Sequence, residues 1–242
     1  MKLAHDAAIA CFPAAACAVA TLAYGVRYVR RGAARSARVE RIGGTALLGS
    51  GVMTGTYWAL DPVVRALVGL GITPNALTWS SLVLGLGAGV ALGGGMFGLG
   101  CLLAACSTIG DLLDGQVARA TGRGSQRGEL LDAAVDRYTE LAFVGGLVVY
   151  LRDSLPLVVL ALAALQACVM VSYASAKAEA LQVAPPRGLM RRHERATYLI
   201  VGAGVASLIG DPWPELIALG IVATAGNAAA ILRLVRISRA LG

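Results

Sequence analysis

Four aspartates stand in one ordered run within apolar surroundings: Asp111-x-x-Asp114-Gly115-x-x-Ala118-Arg119, eight residues, then Gly128-x-x-x-Asp132-x-x-x-Asp136. On helices, residues three or four apart share a face, so Asp111 projects with Asp114 and Asp132 with Asp136, and two such faces can meet. Carboxylates gathered in this way need a cation among them, and the spacing describes a metal cage divided between two helices. A single aspartate at the centre of a bilayer costs roughly 2.5 to 3.5 kcal/mol even on the lenient insertion scale, so four within one motif point to function. The residues between them also suit a ligand. Gly115 leaves the helix surface bare, so that a phosphate or a planar ring can approach the backbone. Ala118 lies one turn on, and the guanidinium of Arg119 can grip a phosphate through two hydrogen bonds. Gly124, Ser125 and Gly128 form a short turn rich in backbone donors.

The elements that must position these residues are membrane helices. With 242 residues, 57% hydrophobic and 14% charged, and a mean hydropathy of +0.71, the chain is far more apolar than a soluble domain. A spanning helix needs about 20 apolar residues. Seven segments qualify, roughly 7–28, 75–95, 98–119, 131–151, 155–181, 196–210 and 214–235. The first lacks the basic start and the cleavage site of a signal peptide and is expected to be retained. Ile42 to Leu60 is apolar but interrupted by Gly43, Gly44, Gly49, Gly51 and Gly55, which weakens any helix there. From Tyr57 to Leu70, Leu60, Val63, Val64, Leu67 and Val68 recur at helical spacing opposite Asp61 and Arg65, the pattern of a helix lying in the membrane interface. The five cysteines lie in apolar stretches without a Cys-x-x-Cys or a histidine pair, which argues against zinc and disulfides.

The chain has 19 arginines and two lysines. They cluster after the first, third and fifth spans and at the carboxyl terminus, so the positive-inside rule puts all four clusters, and the aspartate motif, on the cytoplasmic side of a cell membrane. The net charge of +7 is explained by a basic rim against anionic lipid headgroups and calls for no nucleic acid.

The motif, without a missing position, resembles the signature of the CDP-alcohol phosphotransferases, membrane enzymes of phospholipid synthesis, and Gly71-Ile72-Thr73-Pro74-Asn75-Ala76-Leu77-Thr78 looks like the segment that leads into that family's first core helix. The resemblance implies an all-α integral membrane fold: a six-helix core preceded by a juxtamembrane interfacial helix, with the first span as an extra amino-terminal helix. It divides the chain into an amino-terminal helix and basic linker, 1–56, and a CDP-alcohol phosphotransferase domain, 57–242, with a homodimer as the expected assembly. Carried over residue by residue, Asp111, Asp114, Asp132 and Asp136 bind a pair of magnesium or manganese ions, and Asp136 is also the general base. Hard oxygen ligands suit those metals. The CDP part of CDP-diacylglycerol is then held by Pro74, Asn75, Ala76, Leu77, Thr78, Gly115, Arg119 and Ser125, with Ala118 and Gly128 lining its pocket. One position departs from the family's habit: Arg127 stands where an aromatic or apolar residue is common before the second glycine. Glu140 is expected to pair with Arg137.

The stretches Ser172 to Ala180 and Arg191 to Arg195 resemble the subgroup that makes phosphatidylinositol phosphate. That likeness implies inositol 1-phosphate as the acceptor, its dianion met by Lys177, Arg192, Arg195 and Arg236. Positive-inside charge explains the same residues equally well. Glycerol 3-phosphate, serine or an aminoalcohol are the nearest alternatives. A membrane prenyltransferase would not call for the Gly-x-x-Ala-Arg spacing, and a divalent-cation transporter would need carboxylates across the whole bilayer. His193 is expected to be a loop residue, since Asp136 already fills the place of a base.

Overall fold

The computed structural model describes residues 2–32, 49–184 and 188–242. Among these it consists of eight helices: α1 (Lys2–Arg31), α2 (Gly49–Gly69), α3 (Pro74–Gly93), α4 (Phe97–Thr121), α5 (Gln126–Tyr150), α6 (Leu155–Ala180), α7 (Arg192–Ile209) and α8 (Trp213–Leu241). The arginines at 35, 38, 41 and 187 lie outside the described residues.

Local chemistry sets the helix ends near the motif. Thr73 caps α3 by accepting from the Ala76 amide at 3.3 Å, with Pro74 in the first turn, where its missing N–H costs nothing. Ser125 caps α5 by accepting from the Gly128 amide at 3.1 Å, so that helix begins at Gln126. Gly122 closes α4 in the left-handed conformation, φ 65°. Between these caps the chain turns from the end of α4 into α5 within a few residues, and the two aspartate pairs are brought to the same end of the bundle.

Five helices, α1, α3, α4, α6 and α8, are long and apolar enough to cross a membrane, and the protein is a multi-pass membrane protein. The other two expected spans, α5 and α7, fall short because of the charged residues they carry: Asp132, Asp136, Arg137 and Glu140 on α5, and Arg192, Glu194 and Arg195 on α7. They pack inside the bundle, α5 against α3 and α6, α7 against α4 and α8. The interfacial helix expected over 57–70 is longer at its start, reaching back to Gly49. Of the glycines that weakened that expectation, Gly43 and Gly44 lie outside the described residues, Gly51 has nothing within 4 Å of its Cβ position, and Gly55 lies against the Tyr24 ring of α1, where a Cβ would come within 2.9 Å. Trp58 completes this contact, its ring 5.7 Å from Tyr24 and under the Arg27 guanidinium. On its other face α2 rests on the site-bearing helices, with Leu60, Val64, Leu67 and Val68 against Leu77, Leu113 and Val117.

Small residues set how closely the helices approach. Within a membrane, helix association relies on close contact more than on expulsion of water. Gly89 of α3 lies against the backbone of Ala142 and Gly146 on α5, so close that a Cβ at Gly89 would run into the Ala142 carbonyl. Gly85, one turn earlier, abuts Thr139, and Gly226 of α8 abuts Ala167 of α6. The core between them is rich in alanine, with Ala88, Ala104, Ala161, Ala164, Ala167 and Ala203 all buried.

Gly89→Ala is therefore expected to lower the unfolding free energy by about 1–3 kcal/mol, the range for overpacking. Gly145→Ala, where a Cβ would meet nothing within 4 Å, is expected to be neutral or slightly stabilising. Thermal unfolding of the two variants in the same micelles distinguishes close helix contact from a general intolerance of substitution.

Candidate active site

The two aspartate pairs meet as their spacing predicts. Asp111, Asp114 and Asp132 each offer an oxygen, and the three oxygens lie within 4.8 Å of one another. Asp136 follows one turn beyond Asp132 on α5. A guanidinium from a third helix joins the two pairs: Arg192 Nη1 is 2.6 Å from Asp111 Oδ2, and its Nη2 is 2.7 Å from Asp136 Oδ1. Thr78, from the first turns of α3, donates its hydroxyl to Asp114 Oδ2 at 2.6 Å. Four helices thus converge on one cluster, largely screened from solvent.

Charge and donor inventory decide what the cluster can hold. A carboxylate only accepts hydrogen bonds, and one guanidinium with one hydroxyl does not satisfy four of them. Asp132 Oδ1 is buried without a hydrogen-bond partner. Such an orphaned acceptor in a net negative site fits a hard divalent cation, and the all-oxygen donor set suits magnesium or manganese. Beneath Arg192 and Glu140 the floor is apolar, lined by Ala88, Ala104, Phe143, Val144 and Leu199, so charges in the site act in a poorly screening medium.

A second layer of charge braces the first. Glu140 pairs with Arg137 at 2.8 Å, as expected, and also with Arg195. Arg137 in turn donates to Ser172 of α6. Arg195 is only 1% exposed and donates to the Met190 carbonyl at 2.7 Å. Arg233 of α8, also buried, donates to the carbonyls of Leu189 at 2.9 Å and Val171 at 3.3 Å, holding the segment before α7 against α6. These contacts fix the start of α7 and hence the position of Arg192.

The residues expected at the nucleotide lie at the start of α3, the last turns of α4 and the start of α5. Pro74 and Leu77 are partly buried and Asn75 and Ala76 exposed, while Thr78 is turned inward to Asp114. The Arg119 guanidinium lies across Gly115, 3.2 Å from where a Cβ would stand. Ser125 and Asn75 both border Gly128, at 3.3 and 3.8 Å from its Cβ position. Ala118 is partly buried, and Arg127 is exposed.

Of the residues expected at the acceptor, Arg192 is in the cluster itself and Arg195 is in the buried brace. Lys177 and Arg236 are exposed, each beside a residue of the α6–α8 contact formed by Ala178 and Ile237. His193, expected in a loop, lies in the first turn of α7. Sequence reading missed the structural use of Arg195 and Arg233. Their signal was weak, since Arg195 follows Arg191-Arg192-His193-Glu194 and Arg233 opens the run that holds Arg236 and Arg239, and both clusters had already been explained by topology.

Thr78 supplies a hydroxyl that orients a candidate metal ligand, and losing such a partner typically weakens metal binding 10- to 100-fold. Thr78→Val is expected to raise the Kd for Mn2+ by a factor in that range and Thr78→Ser to restore it, measured by the electron paramagnetic resonance of free Mn2+.

Comparison with known proteins agrees with this geometry. Residues 71–232 match the family of CDP-alcohol phosphatidyltransferases. The phosphatidylinositol phosphate synthase of Mycobacterium tuberculosis is 34% identical over 169 residues, spanning 66% of this chain and 76% of that protein. Its crystal structure with CDP-DAG bound superposes with a TM-score of 0.67 at 28% identity, covering 73% of this chain and 92% of that one. The same protein in complex with manganese and citrate gives a TM-score of 0.67 and covers 73% of this chain and 87% of that one. The family match spans most of the chain and the relative is 34% identical over 76% of its own length, so the chain belongs to the CDP-alcohol phosphatidyltransferases.

Proposed function

We propose that this phosphatidyltransferase moves the phosphatidyl group of CDP-diacylglycerol to a hydroxyl of inositol 1-phosphate, giving phosphatidylinositol phosphate and CMP. The observation that supports the choice of acceptor is that Lys177 of α6, Arg192 of α7 and Arg236 of α8 stand at the end of the bundle that holds the aspartates, while Arg195, buried on Glu140, serves behind them. A phosphorylated alcohol brings a dianion, and lysine and arginine are its natural partners. Relatives described as phosphatidylinositol phosphate synthases, at 34% identity, support the same choice.

Asp111, Asp114 and Asp132 would hold the divalent metal, with Asp136 as a further ligand for a pair of ions. Once bound, the metal would supply counter-charge to the diphosphate and to the attacking and leaving oxygens. Gly115, Ala118 and Gly128 leave room for the nucleotide, and Arg119, Asn75 and Ser125 offer it polar contacts. Asp136 accepts the proton of the acceptor hydroxyl as its oxygen bonds to the phosphorus carried by diacylglycerol. The bond from that phosphorus to CMP breaks, and CMP leaves with the electron pair. Arg192, held between Asp111 and Asp136, keeps the base and the first ligand at a fixed separation.

The site faces the cytoplasm on this reading. Arg27, Arg119, Arg123, Arg191, Arg236 and Arg239 share its end of the bundle, whereas Arg152, Asp153 and Asp211 occupy the other. Packing of Leu60, Val64, Leu67 and Val68 onto α3 and α4 supports a catalytic unit that takes in 57–242; because α2 runs unbroken from Gly49, the start of that unit is drawn at this helix and not at residue 57. The family resemblance supports a homodimer.

Purified protein with CDP-diacylglycerol and Mg2+ is expected to release CMP with inositol 1-phosphate, and far more slowly with glycerol 3-phosphate or serine. Asp136→Asn is expected to lose 10²- to 10⁴-fold in rate, the usual contribution of a general base. Chelation by EDTA is expected to abolish release and Mn2+ to restore it. A preference for glycerol 3-phosphate would replace the acceptor and leave the reaction class intact.

A further inference from the structure

The extra helix α1 lies before the family match, which begins at residue 71, and nothing in the chemistry above uses it. Yet it supplies a carboxylate to the far end of the metal-binding helix. The first N–H groups of any helix lack partners within it, and the cap residue of α4, Met96, offers no side-chain hydrogen bond. Asp6 fills the gap from 92 residues away: Gly98 N donates to Asp6 Oδ2 at 2.7 Å and Leu99 N to Oδ1 at 3.0 Å. A carboxylate there is favoured by both the hydrogen bonds and the helix dipole. The same Oδ2 accepts from Ser207 Oγ of α7 at 2.9 Å. Gly98 has no Cβ where one would strike the Asp6 backbone carbonyl and approach Ser207.

α4 and α7 run antiparallel, and their contacts keep one register. Asp6 joins residue 98 to residue 207; Cys101 Sγ lies 3.1 Å from the Cβ position of Gly204; and Asp111 meets Arg192 at 2.6 Å. The clamp and the active-site contact sit at opposite ends of the same helix pair, about 20 Å apart along the axis. A helix is stiff along that axis, so a slip at one end appears at the other. Sliding by one residue moves a side chain about 1.5 Å, enough to break a contact between Asp111 and Arg192.

We propose that Asp6 is a positioning residue: by tying the outer ends of α4 and α7 it sets the register in which Asp111 meets Arg192, making α1 a working part of the active site and not only an anchor. The proposal rests on the metal site described above, and its test has one arm that does not require metal.

The full-length protein in nanodiscs is compared with Asp6→Ala, Asp6→Asn and Gly98→Ala in two measurements, Mn2+ binding by paramagnetic resonance and amide hydrogen exchange. Asp6→Ala and Gly98→Ala are expected to weaken Mn2+ binding by roughly five-fold, the factor that losing one ordinary helix cap represents. They are also expected to speed exchange both at 97–102 and at 107–116, around Asp111. Asn offers one acceptor oxygen where Asp6 uses two, so Asp6→Asn is expected to fall between the natural protein and Asp6→Ala in both measurements. Faster exchange confined to 97–102 with unchanged Mn2+ affinity would make Asp6 a local cap and overturn the proposal. Should the natural protein bind no Mn2+, the metal assignment fails separately, and exchange at 107–116 alone decides: no change there also overturns the positioning role.

Discussion

Four carboxylates held at one end of an apolar helix bundle must be neutralised, and much of the structure can be understood from that requirement. An ionised group removed from water is stable only when paired or hydrogen-bonded. The protein supplies the Arg192 guanidinium and the Thr78 hydroxyl to the cluster by hydrogen bond, and Arg137, shared with Glu140, stands 3.7 Å from Asp136. That leaves negative charge and an unpartnered Asp132 oxygen, the condition in which a divalent cation is welcome and a diphosphate can follow it. The same arrangement that costs stability without a metal would therefore favour a bound metal.

Keeping such a cluster in one geometry places demands on helices that contribute nothing to it directly. Arg192 bridges α4 and α5 only if the start of α7 is fixed, and that start is fixed by Arg195 on Glu140 and by Arg233 on the backbone before α7. Thr78 reaches Asp114 only if α3 and α4 are in register, and the α3–α5 contact through Gly89 and Gly146 leaves no room for either helix to shift. Close glycine contacts and buried arginines thus perform one task together: they hold the four helices α3, α4, α5 and α7 in place at the site.

The aspartate cage was legible before the structure because its period is helical and its residue types have few other uses in a membrane. The caps were legible for the same kind of reason, since Thr73 before Pro74 and Ser125 before a helical run satisfy known orphan donors. The roles of the basic residues were not. Arginine at the membrane interface is expected on topological grounds alone, and spacing does not separate Arg195, which is buried, from Arg236, which is exposed. The start of α2 was obscured by glycines whose partner, Tyr24, comes from another helix. Asp6 gave no signal at all, because its partners are backbone amides 92 residues away.

The central claim is that Asp111, Asp114 and Asp132 form a divalent-metal site spanning α4 and α5. Its most direct test is anomalous diffraction at the manganese edge from crystals grown with Mn2+. The account predicts an anomalous peak among these three carboxylates, on the side of Asp132 Oδ1. No peak there in Mn2+-saturated crystals, with Arg192 still bridging Asp111 and Asp136, would contradict it.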